Sequence, residues 1–151
     1  MNYLLPLALV ALAGAAVAMQ PAFNAQLAAY VGSSLRATLV NFSAGALMLA
    51  FLTAAFALRA GAPAMRPVSE VPVHLWVAGG ALGAVFVATA TWAAPKVGVG
   101  AFFAVLIAAQ LVAALILDHY GLLGLEQKPA SVIRLAGVGL LVIGAWMVAR
   151  G

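Results

Sequence analysis

The sequence predicts an all-α integral membrane protein, a bundle of about five transmembrane helices, and three observations carry that prediction. Of its 151 residues 67% are hydrophobic and 7% charged, with a mean hydropathy of +1.18, which leaves far too little polar surface to coat a water-soluble globule of this length. The apolar residues form segments near the ~20 residues that a ~30 Å hydrocarbon core requires of a helix, rather than the alternating ~10-residue segments of a barrel. The cations stand singly at the ends of these segments, where they anchor a helix at the headgroups. A net charge of +4 therefore carries no nucleic-acid signal, because there is no basic run and no interleaved aromatic pattern. The whole chain, 1–151, reads as a single transmembrane domain.

The first span covers about residues 4–30. Leu4 to Ala13 also has the length of a signal-peptide core, with Ala16-Val17-Ala18 as a small-residue cleavage site, but no Lys or Arg precedes it, so an uncleaved helix is expected. Val31-Gly32-Ser33-Ser34 follows as a tight hairpin, in which Gly32 suits the left-handed residue that ends a helix and a serine caps the next one. The second span covers about 35–58. Arg59 to Pro72 holds three prolines and two arginines and reads as the one substantial hydrophilic loop. The third span covers about 73–94, Pro95-Lys96-Val97-Gly98 is a short turn, and the fourth span covers about 99–117. Asp118 to Ala130 is a second polar segment with room for one short helical turn, and the fifth span covers about 132–148.

Five spans put the two ends of the chain on opposite sides of the membrane. Arg59, Arg66, Lys128 and Arg134 then fall on the amino-terminal side, and Arg36, Lys96 and Arg150 on the other. Four against three is too small a bias for the positive-inside rule to choose an orientation. Either one topology is adopted despite the weak bias, or the chain inserts both ways and pairs with an inverted copy of itself, giving the symmetry that many transporters carry within one polypeptide. With no cysteine in the chain, neither disulfides nor thiolate metal ligands are available.

Polar residues inside the spans point to function. Counted from Gly32 at ~1.5 Å per residue, Asn24 lies roughly 12 Å down the first helix and Asn41 roughly 13 Å down the second. Gln20 lies roughly 18 Å from that surface, and Gln110, counted from Val97, roughly 19 Å. These are two polar layers, and Gln20 and Asn24, four apart, share a helix face. Pro21 cannot donate to the Val17 carbonyl, so this interruption is expected to face protein or a water-filled cavity. The four amides have two readings: interhelical glue, or the lining of a substrate pathway with Pro21 as a hinge.

Other features have structural explanations. Gly79 with Gly83, and Gly137 with Gly144, are small residues at helix-contact spacing. Trp76 and Trp92 fit interfacial belts, although Trp92 with Thr89 and Thr91 also suits a vestibule of the pathway. Asp118-His119-Tyr120 resembles an acid/base cluster but sits at a span end among Lys128 and Arg134, where ion pairing is expected. No Asp, Glu, Lys or Arg lies near the middle of a span, which argues against direct carboxylate-driven proton exchange and against an enzyme.

The stretches QPAFNAQL, GSSLRATLVNFSAGAL, APKVGVGAF, AAQLVAALILDHYGLLGL and RLAGVGLLVIGAWMV resemble, in order and spacing over nearly the whole chain, the YdcZ-like five-helix inner-membrane proteins of the drug/metabolite transporter superfamily. QPxxN and QLxxALxxDHYGLLG are the specific parts. The resemblance implies a half-transporter of the bacterial inner membrane that forms an antiparallel, inverted dimer. The last span also resembles the dimerising helix of the small multidrug resistance family, with Gly137, Gly139 and Gly144 in the packing positions. Gln20 and Asn24 stand where that family has a glutamate, a departure that argues against proton-coupled cation export. The expected function is alternating-access transport of a small solute, with Gln20, Asn24, Asn41, Gln110 and Trp92 along the pathway. Lipid, the solute and an inverted copy are the expected partners, with no cofactor, metal or nucleic acid. A passive channel and a non-transporting structural subunit remain as alternatives.

Overall fold

The computed structural model of the chain describes residues 4–61 and 67–151. Five long helices make it up: α1 Leu4–Val31, α2 Ser34–Ala60, α3 Val73–Val97, α4 Val99–Tyr120 and α5 Val132–Arg150, with 3₁₀ turns at Val68–Glu70 and Leu122–Gly124. All five are long and apolar enough to cross a membrane. Each covers one of the apolar segments and runs past it by less than a turn. Arg66, one of the four cations assigned to the amino-terminal side, lies outside the described residues.

Burial is inverted relative to a water-soluble protein. The buried hydrophobic residues are all alanines, Ala37, Ala90, Ala94, Ala108 and Ala145, while leucines, valines and phenylalanines are exposed along every helix. Lipid is as apolar as leucine, so nothing drives large side chains inward; what helices in lipid need at their contacts is close approach, which small residues allow. The buried threonines obey the same constraint. Thr38 donates its hydroxyl to the Ser34 carbonyl at 2.8 Å and Thr91 to the Val87 carbonyl at 2.7 Å, so neither leaves a polar atom unpaired.

The residues group into two compact units, Met1–Trp92 and Ala93–Gly151. In the first, α1 and α2 pack as a hairpin. Gly32 takes φ +83° and donates to the Ala28 carbonyl, Ser33 accepts from the Arg36 amide at 3.1 Å, and the Arg36 guanidinium returns to the Val31 carbonyl at 3.2 Å. The left-handed glycine and the serine cap are those the sequence predicts; the cation on the Val31 carbonyl is an addition, and the turn closes in two residues. In α3, Gly83 admits the Phe42 ring of α2: a Cβ there would stand 3.4 Å from Phe42 Cζ, whereas one at Gly79 would meet nothing.

The expected four-residue turn at Pro95 is shorter. Helix α3 continues through Pro95 and Lys96, and Gly98 alone, at φ +86°, separates it from α4. A proline in the last turn withholds one hydrogen bond, to Thr91, and its ring angle is already helical, so it does not end the helix where glycine does.

In the second unit α4 and α5 pack together, with Ala108 and Ala145 buried. Their connection is tied to the end of α4. The Lys128 amide donates to the Asp118 carbonyl at 2.7 Å, Gln127 Nε2 to the His119 carbonyl at 3.0 Å, and the Ala130 amide to His119 Nδ1 at 3.1 Å. Arg134 at the start of α5 meets Asp118 at 2.6 Å, and Lys128 meets Glu126 at 3.8 Å. The cluster that resembles acid/base chemistry is thus a capped, ion-paired helix junction.

Candidate functional site

Sequence counting puts Asn24 and Asn41 at one depth, and the structure joins them: Asn41 Nδ2 donates to Asn24 Oδ1 at 2.7 Å. The hairpin explains why. A two-residue turn makes α1 and α2 antiparallel neighbours, so residues eight before and nine after Gly32 come level. Asn24 is 7% exposed and the Pro21 side chain is fully buried, whereas Gln20 beside them is exposed. Helix α1 nevertheless runs unbroken across Pro21.

The pair borders a cleft of about 540 Å³ within the first unit, lined by Gln20, Asn24, Asn41, Phe42, Leu49 and Val87, with Gly45 and Ala46 flooring it. That volume lies within the ~300–1,000 Å³ range of small-molecule sites. Gln20 faces the cleft without a hydrogen bond to any described residue, which separates it from the bonded asparagines. The rest of the lining is apolar, and no charged side chain among the described residues lines the cleft. The arrangement can hydrogen-bond a neutral group and cover an apolar one; it holds no nucleophile or general base.

The apolar part of the lining escapes sequence reasoning that tracks only polar interruptions. A helical signal for it exists: Asn41, Gly45 and Leu49 are four apart, as are Phe42 and Ala46, so the face carrying Asn41 carries the rest of the α2 lining.

The other expected site residues stand elsewhere. Gln110 is exposed on α4 in the second unit. Trp92 ends the first unit, 59% exposed beside the buried Thr91, and does not line the amide cleft. Gly137, Gly139 and Gly144 are not close-approach positions within the second unit, since a Cβ at any of them meets nothing there within 4 Å. The second unit does hold a groove of about 640 Å³ along Ala101, Phe102, Val105 and Ala149, larger than the amide cleft, but its lining has no polar side chain to orient a solute.

The family model described as "Putative inner membrane exporter, YdcZ" matches residues 5–147, which takes in all but the outermost residues of α1 and α5 and every residue of the cleft. No curated protein and no solved structure matches the chain.

Proposed function

Because the chain belongs to the YdcZ family of inner-membrane exporters, we propose that it moves a small solute by alternating access, as one half of an inverted homodimer. The chain is a multi-pass inner-membrane protein, and an exporter is not an enzyme class. The observation that carries the finer reading is the cleft itself, where a bonded Asn24–Asn41 pair and an unbonded Gln20 are presented on an otherwise apolar wall. Amides serving only as glue need no cavity beside them, and a passive pore needs a continuous wet lining, whereas the lining of this cleft beyond the amides is apolar.

In this mechanism the amides hydrogen-bond the solute, and Pro21 gives α1 a turn that lacks one backbone bond and bends at low cost. Gln110 and Trp92 join the pathway once two chains assemble. An amide facing hydrocarbon is costly, so Gln110 on the exposed side of α4 is covered by protein in the assembly. Gly137, Gly139 and Gly144, open within the chain, supply a surface on which the inverted copy approaches closely. The near-balanced cations supply both orientations.

The chain has no cysteine, which makes the test direct. A Gly151→Cys protein in intact spheroplasts is treated with a membrane-impermeant maleimide. About half of the protein should label from outside and the remainder only after permeabilisation. Labelling from a single side removes the inverted homodimer and leaves a parallel oligomer or a different partner.

A further inference from the structure

The paired asparagines have a specific unmet demand. With Asn41 Nδ2 donating to Asn24 Oδ1, the Asn24 Nδ2 and the Asn41 Oδ1 make no bond to any described residue. Among the described residues no buried side-chain nitrogen or oxygen lacks a partner, so these two atoms are not enclosed by protein, and the cleft is the opening that both residues line. Asn24 is otherwise buried, which makes the cleft the route by which its amide finds a partner.

Amide chemistry makes the demand independent of how the two side chains are oriented. A carboxamide has a donor end and an acceptor end, and joining two by one hydrogen bond uses one of each. Turning both amides over reverses the bond and again leaves one donor and one acceptor toward the cleft. The pair therefore matches a third group that carries an acceptor and a donor on one edge.

Resting on the reading of this cleft as the solute site, we propose that it selects uncharged solutes bearing a primary carboxamide or an equivalent edge, such as a urea or lactam, on an apolar body. The solute carbonyl accepts from Asn24 Nδ2, and its N–H donates to Asn41 Oδ1. Gln20, free to donate or accept, engages whatever polar group the solute carries beyond that edge, while Phe42, Leu49 and Val87 cover the body. A carboxylate brings acceptors alone and faces the Asn41 oxygen without a donor; an ammonium brings donors alone and leaves the Asn24 amide unmet. With no charged side chain in the lining, either ion also enters without a counter-charge.

The test uses the intact chain in nanodiscs at neutral pH with four probes of one shape: benzamide, acetophenone, benzoate and benzylammonium. Benzamide should raise the unfolding temperature saturably. Acetophenone, which keeps the acceptor and loses the donor, should bind about tenfold more weakly or worse, on the order expected when a site's polar group is left unpaired. The two ions should give no saturable effect. Gly45→Leu places a side chain in the cleft where a Cβ meets nothing within 4 Å, so the protein should fold and lose the benzamide response. Equal binding of benzamide and acetophenone, tighter binding of either ion, no benzamide binding at all, or a response that survives Gly45→Leu would each overturn the proposal. One-sided labelling at position 151 removes the inverted dimer without touching this outcome. Failure of the benzamide series removes the solute class without touching the labelling.

Discussion

The three amides of the cleft look alike in the sequence and differ in what holds them. Asn24 and Asn41 hold each other, so replacing either removes an interhelical bond worth about 0.6 kcal/mol on average in lipid, with ~1.7 as an upper value. Once Asn24→Leu is made, adding Asn41→Leu should cost little more, because the bond is already gone; unfolding of the four proteins of that cycle in detergent measures the coupling. Additive costs would mean the bond contributes nothing. Gln20 holds nothing among the described residues. Gln20→Leu should leave stability within about 0.5 kcal/mol and still reduce solute binding. A Gln20→Leu protein that unfolds while the Asn24→Leu protein does not would reverse these assignments. Depth along a helix is what made the asparagine pair legible in the sequence, since it follows from counting residues. Which of the amides is bonded and which is free was not legible, because that depends on how each helix is turned about its own axis.

Helix ends in this chain are specified by glycine rather than proline, and their variants should behave accordingly. Gly121 ends α4 at φ +61°, where a Cβ would come within 3.1 Å of the Leu125 carbonyl and 3.2 Å of Gln127 Cβ. Gly121→Ala should lower the stability of the purified protein by about 1–2 kcal/mol from the left-handed conformation alone, and by more from the contact. An unchanged melting temperature would show that the loop after α4 yields freely. Beside it, the Asp118–Arg134 pair joins α4 to α5 with side chains 29% and 44% exposed. Asp118→Asn should cost at most about 1 kcal/mol and spare transport, because solvent screens a pair so placed. Complete loss of transport in the folded variant would make Asp118 a coupling site. Pro21→Ala restores a donor to the Val17 carbonyl in a helix that is already continuous across Pro21, so binding should persist while exchange between inward- and outward-facing states slows. Faster exchange, followed by site-directed labelling, would remove the hinge.

Assembly turns on surfaces that the chain leaves open. Gly137 and Gly144 have space at their Cβ positions, so Gly144→Ala should be neutral or slightly stabilising in the isolated chain through helix propensity, up to about 1 kcal/mol. Gly137→Leu and Gly144→Leu should weaken a dimer that packs on this helix while the chain still folds, which cross-linking beside a melting curve distinguishes. Dimers that survive both leucines place the interface on another surface. Orientation belongs to the same level. Adding two lysines beside Arg66 changes the count from four against three to six against three and should drive the Gly151→Cys label to one side.

Everything that depends on distance along the chain is legible before the helices pack. Composition set the solvent, segment lengths set the five helices, and Gly32 with Ser33 set the hairpin that brings Asn24 level with Asn41. Direction around each helix is settled only when the helices pack: Gln20 and the Phe42, Gly45, Leu49 face line one cleft in the first unit, and Gln110 lies exposed in the second. The reason is the solvent. In water an amphipathic stripe shows which face of a helix is buried, but these helices are apolar on every side and lipid accepts every side equally. Their rotation is left to the close approach of small residues and to one hydrogen bond between asparagines, and neither shows its direction until the helices are packed.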